Sequence, residues 1–255
     1  MIMEEAVDPE SDTSRTRRIV TIAAITIAMV SATYVLLGRS RLFDVEQVQI
    51  YGIHRMNVME VEEHLGFRRG DPLLSVNSAE VRRNLELLPW VHSADIERGW
   101  NGHIKIDVTE RQAIALAMVA PQQWALIDVT GRVLTRALPY PPDLPRLSGV
   151  HAAGEPGSYM ASDSGALLVV LAALPVELRQ QFYSLRRDTS GEIEGSLKGG
   201  EEIVFGDDNK LSAKVIVLAT VLSHLREQNR NDQFIDVSLP HEPRVRSEAR
   251  TTSTP

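Results

Sequence analysis

The feature that most constrains this chain is an uninterrupted apolar segment near its start. Residues Ile19 to Gly38 contain no charged side chain, and arginines flank the segment at both ends. A helix rises about 1.5 Å per residue, so this segment would span roughly 30 Å, the thickness of a bilayer's hydrocarbon core. Only a structure that pairs its own backbone groups is stable in lipid. The segment therefore predicts a transmembrane helix that tethers the rest of the chain.

The residues around this helix bear on its orientation and on whether it is retained. Arginines are present at Arg15, Arg17 and Arg18 before the segment, and fewer follow it, which favours a cytoplasmic N-terminus by the positive-inside rule. A cleaved signal peptide is the alternative, because residues 30–32 have the small-residue pattern of a cleavage site. The apolar run continues to Leu37, beyond the usual apolar region of a signal peptide, and so favours a retained signal anchor.

The composition bounds what the remaining residues can do. The chain has no cysteine, which excludes thiol catalysis and cysteine-ligated zinc or iron–sulfur sites. Its net charge is −7, and an acidic body lacks the Lys/Arg surface that nucleic acid requires, so no nucleic-acid binding is expected. About 215 residues follow the apolar segment, which predicts two modest domains rather than one.

The first domain after the helix has the predicted order β-α-α-β-β. A strand with alternating apolar residues around Ile50 precedes a short helix that has Asn57 as its N-cap. A second helix, capped by Asn77 or Ser78, carries apolar residues at i, i+4 and i+7. Two strands joined by a glycine-rich turn at residues 99–102 complete the domain.

This pattern resembles a POTRA domain and, more narrowly, the POTRA domain of the bacterial FtsQ/DivIB family of cell division proteins. The residues that carry the resemblance are Val45, Val48, Ile50 and Gly52, then Leu88-Pro89-Trp90-Val91, Ile96 and Arg98, and finally Ile104, Ile106, Val108 and Glu110-Arg111. Gln112-Ala113 stands where the family often has a proline, which is a minor departure.

The second half of the body combines short strands with two apolar helices. A hairpin is predicted at residues 124–134, and residues 166–174 are wholly apolar and predict a buried helix. Asp208 is expected to cap a long helix, and a last strand runs from Phe234 to Leu239. A meander of three strands is predicted between the two helices, at Phe182–Arg186, Ile193–Leu197 and Glu202–Phe205. The FtsQ/DivIB resemblance extends through this half, at Gly206-Asp207-Asp208 and Phe234-Ile235-Asp236-Val237.

Together these patterns predict an α+β protein with a single transmembrane helix, a POTRA domain and a mixed α/β domain, the β-domain of the family. The expected divisions are a cytoplasmic, disordered head at 1–18, the signal anchor at 19–38, the POTRA domain at 42–111, the β-domain at 112–240 and a disordered tail at 241–255. The POTRA domain is expected next to the membrane, and the β-domain further from it.

No pattern in the sequence predicts an active site. The histidines have no metal-ligating spacing, and neither a metal nor another cofactor is expected. Asp163-Ser164-Gly165 is similar to the surroundings of a serine-protease nucleophile, but the sequence assigns it no partner histidine and aspartate. We interpret Asp163 or Ser164 as the cap of the following helix. A membrane-tethered hydrolase that uses Ser164 is a weak alternative, and we expect no enzyme and no small-molecule substrate.

The last strand is the best candidate for a partner-binding site. A terminal strand is readily an edge strand, whose free N–H and C=O groups can pair with a strand of another protein. The resemblance points to the same place, because the C-terminal face of the β-domain in FtsQ-like proteins binds the small division proteins FtsB and FtsL. The candidate residues are Phe234, Ile235, Asp236, Val237, Ser238, Leu239 and Pro240, with alternate side chains expected in the core. Whether Arg244 and Val245 join them is left open, since no strand pattern follows Pro243.

The resemblance implies a scaffold of the bacterial divisome. Such a protein is a single-pass protein of the cell (inner) membrane at the division septum, and it recruits and bridges other division proteins. Through them it helps to control septal cell-wall synthesis. The alternative is a POTRA-type component of a translocation or secretion complex, although such components usually carry several POTRA repeats and only one unit is apparent here.

Overall fold

A computed structural model describes residues 20–33, 44–228 and 233–247. Residues 20–33 form helix α1, whose side chains are all exposed. Within these three ranges, no helix combines the length and the apolar character that crossing a membrane requires. Ile19 and residues 34–38 of the predicted span, like the predicted head, lie outside the described residues.

From residue 44 onward the described chain divides into two compact units. The first contains residues 44–85 and Ser93–Thr109. The second contains Glu86–His92 together with the described residues from Glu110 onward. The short segment Glu86–His92 therefore belongs to the second unit, although it lies inside the predicted POTRA range.

The first unit has the predicted order of elements, and Asn57 caps its first helix, where it accepts a hydrogen bond from Met59 N at 3.0 Å. Asn77 likewise accepts from Ala79 N, at 3.1 Å, at the start of the second helix. The elements are β1 (Gln47–Tyr51), α2 (Val58–Glu63), α3 (Ser78–Glu86), β2 (Val91–Arg98) and β3 (His103–Glu110). Strand β3 is the middle strand of a three-stranded sheet, and β1 pairs with it in parallel.

Apolar side chains from the helices and the sheet are buried in this unit. In β3, the buried residues Ile104, Ile106 and Val108 alternate with more exposed positions, as in a sheet that has one buried face. Other buried residues include Val61 of α2, Leu65 in the bend after α2, and Val81 and Leu85 of α3.

The second unit contains one large mixed sheet and three helices among its described residues. The elements are β4 (Ala115–Ala120), β5 (Gln123–Ile127), β6 (Arg146–Ser148), α4 (Gly165–Ala173), α5 (Val176–Arg179), β7 (Phe182–Arg187), β8 (Ile193–Leu197), β9 (Glu202–Gly206), α6 (Leu211–Glu227), β10 (Phe234–Asp236) and β11 (Arg244–Arg246). The strand order is β11-β10-β9-β8-β7-β6-β4-β5. The antiparallel neighbours β7, β8 and β9 confirm the predicted meander.

The main core of this unit lies between the sheet and helices α4 and α6. Phe182, Leu185 and Ile203 of the sheet are buried in the same cluster as Leu167 and Leu171 of α4. The predicted apolar stripe of the long helix is confirmed, because all five of its residues are buried in this cluster: Leu211, Val215, Leu218, Leu222 and Leu225.

Two predicted helix caps are wrong. The N-cap position of α6 is Lys210 rather than Asp208, and Lys210 has a left-handed backbone with φ of 54° and no capping side chain. Ser164 occupies the N-cap position of α4 but makes no capping bond, since its φ of −78° and ψ of −13° are helical. A 3-10 turn at Ser162–Ser164 continues directly into α4, whereas a side-chain cap requires an extended backbone.

Candidate functional site

The predicted partner strand is not an edge strand. Strand β10 pairs with β9 in parallel on one side and with β11 in antiparallel fashion on the other. The prediction of an exposed edge there is therefore wrong. Strand β11 lies in the predicted tail, and its three residues are too short a run to show a periodic pattern. Among the described residues, the outermost strand at this end of the sheet is β11.

The seven residues predicted to bind a partner differ in accessibility. Phe234, Ile235 and Val237 are buried, while Asp236, Ser238 and Pro240 are half-buried. Leu239 is the exposed member, with 45% of its surface accessible. The chain turns after the strand, where Ser238 N donates to Asp236 Oδ1 at 2.9 Å. The first half of the set is therefore mostly core, and the accessible surface lies in the turn toward β11.

The backbone groups of β10 alternate between its two neighbours. Val237 N donates to Val204 O at 2.9 Å, and Gln233 O accepts from Glu202 N at 2.8 Å. Both Val204 and Glu202 belong to β9. Because alternate residues of a strand direct their bonding groups to opposite sides, the odd-numbered residues of β10 bond to β9 and the even-numbered residues bond to β11.

This alternation identifies the open backbone groups of β11. Val245 lies opposite Ile235, which bonds to β9, so the two residues form a pair without hydrogen bonds between them. The N–H and C=O of Val245 consequently face away from β10. In the part of the chain that the structure describes, no strand pairs with β11 on that side.

The side chains of β11 give this edge a positive charge. Arg244 and Arg246 are exposed, whereas Val245 is half-buried and packs against the main core. The Arg246 guanidinium lies over the Phe234 ring, 5.8 Å from its centroid. Arg244 Nη2 lies 3.3 Å from Glu242 Oε1, in a pair that is exposed to solvent. We call Arg244, Val245 and Arg246, with their outward backbone groups, the β11 edge.

Ser164 does not have the surroundings of a nucleophile. It is only 1% exposed, and its hydroxyl donates to Ala161 O at 2.7 Å. Asp163 has a histidine partner that the sequence did not indicate, since its Oδ2 lies 2.9 Å from His151 Nδ1. Burial raises the pKa of Asp163, but hydrogen bonds from His151 outweigh it and leave that pKa below its ordinary value. The pair is a surface contact that joins two segments, and the serine hydroxyl bonds to a backbone carbonyl instead of a base.

The described residues do not form a metal-binding site. Among them, no three histidine, aspartate or glutamate side chains are grouped so that they could hold a metal ion.

Comparison with known proteins relates both units to cell division proteins. Residues 43–111 match the family model described as POTRA domain, FtsQ-type. The chain is 28% identical over 235 residues to the cell division protein FtsQ of Streptomyces bingchenggensis, an alignment that covers 90% of this chain and 86% of that protein. It is 27% identical over 202 residues to FtsQ of Mycobacterium leprae, which covers 79% of this chain and 55% of the relative.

One solved structure is similar at a lower level. It is the major extracytoplasmic domain of the cell division protein DivIB from Geobacillus stearothermophilus, 16% identical in sequence. The alignment covers 47% of this chain and 97% of that domain with a TM-score of 0.34, which is too loose to support a further conclusion.

Proposed function

Because the chain belongs to the FtsQ/DivIB family of bacterial cell division proteins, we propose that it is a non-enzymatic scaffold of the divisome that binds FtsB and FtsL. A role in cell division follows from the family. By bridging division proteins at the septum, the scaffold helps to control septal cell-wall synthesis. Its partner-binding site is the β11 edge together with the accessible part of the preceding turn, Asp236 and Ser238 to Pro240.

The open backbone of Val245 is the observation that carries this proposal. A strand of the partner adds to the sheet by pairing with the outward N–H and C=O of that residue. The two arginines beside Val245 select a partner strand with carboxylates at the facing positions, because opposite charges across an antiparallel pair stabilise it. Leu239 offers an apolar contact beside the edge. The buried residues Phe234, Ile235 and Val237 support the site from within the core.

A membrane tether is the second part of the proposed function. Helix α1 exposes large apolar side chains, among them Ile27 and Met29 at 67% each. Contiguous exposed apolar surface of this kind is typical of a site that meets another protein or a membrane. The uninterrupted apolar sequence from Ile19 to Gly38 favours the membrane. The chain then spans the inner membrane once, with its N-terminus in the cytoplasm and both compact units outside it.

Substitution of Val245 tests the strand-pairing site directly. Val245→Pro removes the N–H donor at the open edge without breaking a bond to β10. The matched control, Val245→Thr, keeps the donor and the β-branched shape. We expect full-length Val245→Pro protein to lose capture of FtsB and FtsL, and Val245→Thr protein to retain it. Undiminished capture by a Val245→Pro variant with an unchanged circular dichroism spectrum would exclude pairing at β11.

A fluorescent fusion tests the cellular role. We expect the full-length protein to concentrate at midcell before septation. An even distribution around the cell envelope would contradict a role in the divisome, whatever the outcome of the capture experiment.

A further inference from the structure

The tip of the hairpin between β2 and β3 exposes a tryptophan. Trp100 is 87% exposed, whereas the other two tryptophans, Trp90 and Trp124, are half-buried against a cluster of leucines. An indole ring combines a large apolar surface with one N–H donor, so one part of it suits an apolar medium and another part suits water. This combination of surfaces is also the one that suits the boundary between lipid and water.

The tip that carries this tryptophan is firmly held. Gly99 N donates to His103 O at 2.8 Å, and the Asn101 amide lies 3.2 Å from His103 Nδ1. Gly102 has a φ of 77°, a left-handed conformation that glycine adopts without strain. The indole ring is therefore presented on a closed turn.

The same tip packs against the start of the first unit. Gly102 O accepts a hydrogen bond from Glu46 N at 2.9 Å. A β-carbon on Gly102 would lie only 2.5 Å from Asp44 O, so the two backbones are in close contact. The hairpin tip and Asp44, the first described residue of this unit, are thus immediate neighbours.

The proposed tether lies close to Asp44 along the sequence. Asp44 is the sixth residue after Gly38, where the apolar segment ends. Six residues reach at most about 20 Å when fully extended. The proposed tether therefore places the hairpin tip within reach of the membrane surface from which the chain emerges.

Charges near the tip do not favour an anionic surface. Asp44 is half-buried and Glu46 is exposed beside Gly102, and both would repel acidic lipid headgroups. Arg39 and Arg41, which lie between Gly38 and Asp44 in the sequence, oppose that repulsion. The indole ring, rather than net charge, is the group that would provide the attraction. A zwitterionic phospholipid interface suits this arrangement.

We propose that Trp100 inserts its ring into the interfacial layer of the membrane that anchors the chain and so fixes the first unit against the bilayer. The occupant of this surface is phospholipid at the level of the headgroups. The inference rests on the membrane tether of the proposed function and adds a second contact to it.

Tryptophan fluorescence in vesicles tests this contact. The full-length chain with Trp90→Phe and Trp124→Phe retains Trp100 alone as an emitter. It is reconstituted into phosphatidylcholine vesicles with plain or brominated acyl chains, since bromine quenches only those indoles that it meets. We expect a blue-shifted emission that decreases in the brominated vesicles. The result should not change with salt concentration.

An equally exposed aromatic residue of the second unit provides the control. Tyr140 is 91% exposed, and Tyr140→Trp in a chain with all three native tryptophans changed to Phe places one indole there. Its emission should be the same in both kinds of vesicle. Equal quenching at positions 100 and 140 would indicate adsorption of the whole body and overturn the proposal, as would unquenched Trp100. Protein that does not float with the vesicles would instead contradict the tether itself.

Discussion

Arg111 and Asp128 form an ion pair in the interior of the second unit. Arg111 Nη1 donates to Asp128 Oδ2 at 2.7 Å, and the two side chains are 9% and 4% exposed. The other carboxylate oxygen, Oδ1, accepts from Thr130 N and from Arg132 N, each at 2.9 Å. The carboxylate thus fixes the turn that follows β5 and neutralises a buried guanidinium at the same time.

Removal of the charge on Asp128 should strongly destabilise the second unit. Asp128→Asn keeps the shape but leaves the Arg111 guanidinium buried without an anion, which costs about 3–5 kcal/mol. The control is Asp143→Asn. Asp143 Oδ2 lies 2.6 Å from Lys198 Nζ in wild type, and the Asp143 side chain is 80% exposed. Loss of an exposed pair costs about 0–1 kcal/mol. Urea unfolding measures the loss in free energy of unfolding for each variant. Equal losses in the two variants would contradict the expectation that the buried pair contributes more than the exposed one.

The same carboxylate should make stability depend on pH. Burial raises the pKa of Asp128, but hydrogen bonds from Thr130 and Arg111 outweigh it, and the pKa is lower than in the unfolded chain. A lowered pKa stabilises the folded state above the unfolded pKa of about 4, and that contribution is lost as the pH falls through the folded value. We therefore expect the stability difference between wild type and Asp128→Asn to be largest near neutral pH and to shrink in acid. A difference independent of pH would contradict this account.

A second charged pair makes a sharper titration test. Lys214 is 2% exposed, and its Nζ donates to Asp207 Oδ1 at 2.6 Å and to Asp207 O at 2.8 Å. The hydrogen bond from Lys214 is the main reason that the pKa of Asp207 is lowered to about 2. Lys214→Met keeps the side-chain length but removes the donor, so the pKa of Asp207 should rise toward its ordinary value. Carboxyl NMR titration measures it, and Lys198→Met, a change at an unrelated lysine, should leave it unaltered.

The parts of this fold that depend on local periodicity could be predicted from the sequence. The stripe of α6 and the alternation of β3 each reflect one buried face, and both were predicted correctly. Strand β4 was missed because Ala115, Leu116 and Ala117 are all buried, so no alternation appears. It lies between β5 and β6 in the sheet, and a strand covered on both faces carries no period-two signal.

The outermost strand at this end of the sheet could not be located from the sequence, because it depends on contacts that local patterns do not encode. Which strand is outermost is decided by sheet order, and the pairing of β10 with both β9 and β11 is not visible in residues 234–239. The ion pair of Arg111 with Asp128 likewise joins residues from different segments. The sequence placed the edge at β10, whereas among the described residues the outermost strand at this end of the sheet is its neighbour β11.

Charge reversal at the β11 edge tests the chemistry of the proposed partner. Arg244→Glu with Arg246→Glu would place like charges opposite the carboxylates expected on the partner strand. Each cross-strand charge pair contributes about 0.2–1 kcal/mol, so the loss of two such pairs alone should weaken FtsB binding by about twofold to thirtyfold. Arg136→Glu, at an arginine of the same unit whose side chain is 86% exposed, is the control and should bind normally.

Salt provides an independent measurement of the same contact. Because both arginines are exposed, dissolved ions screen their attraction to the partner, and wild-type binding should weaken as salt increases. The double variant should lose that dependence or invert it. If the reversed edge bound FtsB as tightly as wild type and with the same salt dependence, the arginines would not face the partner. Strand pairing through Val245 would then have to proceed without charge selection.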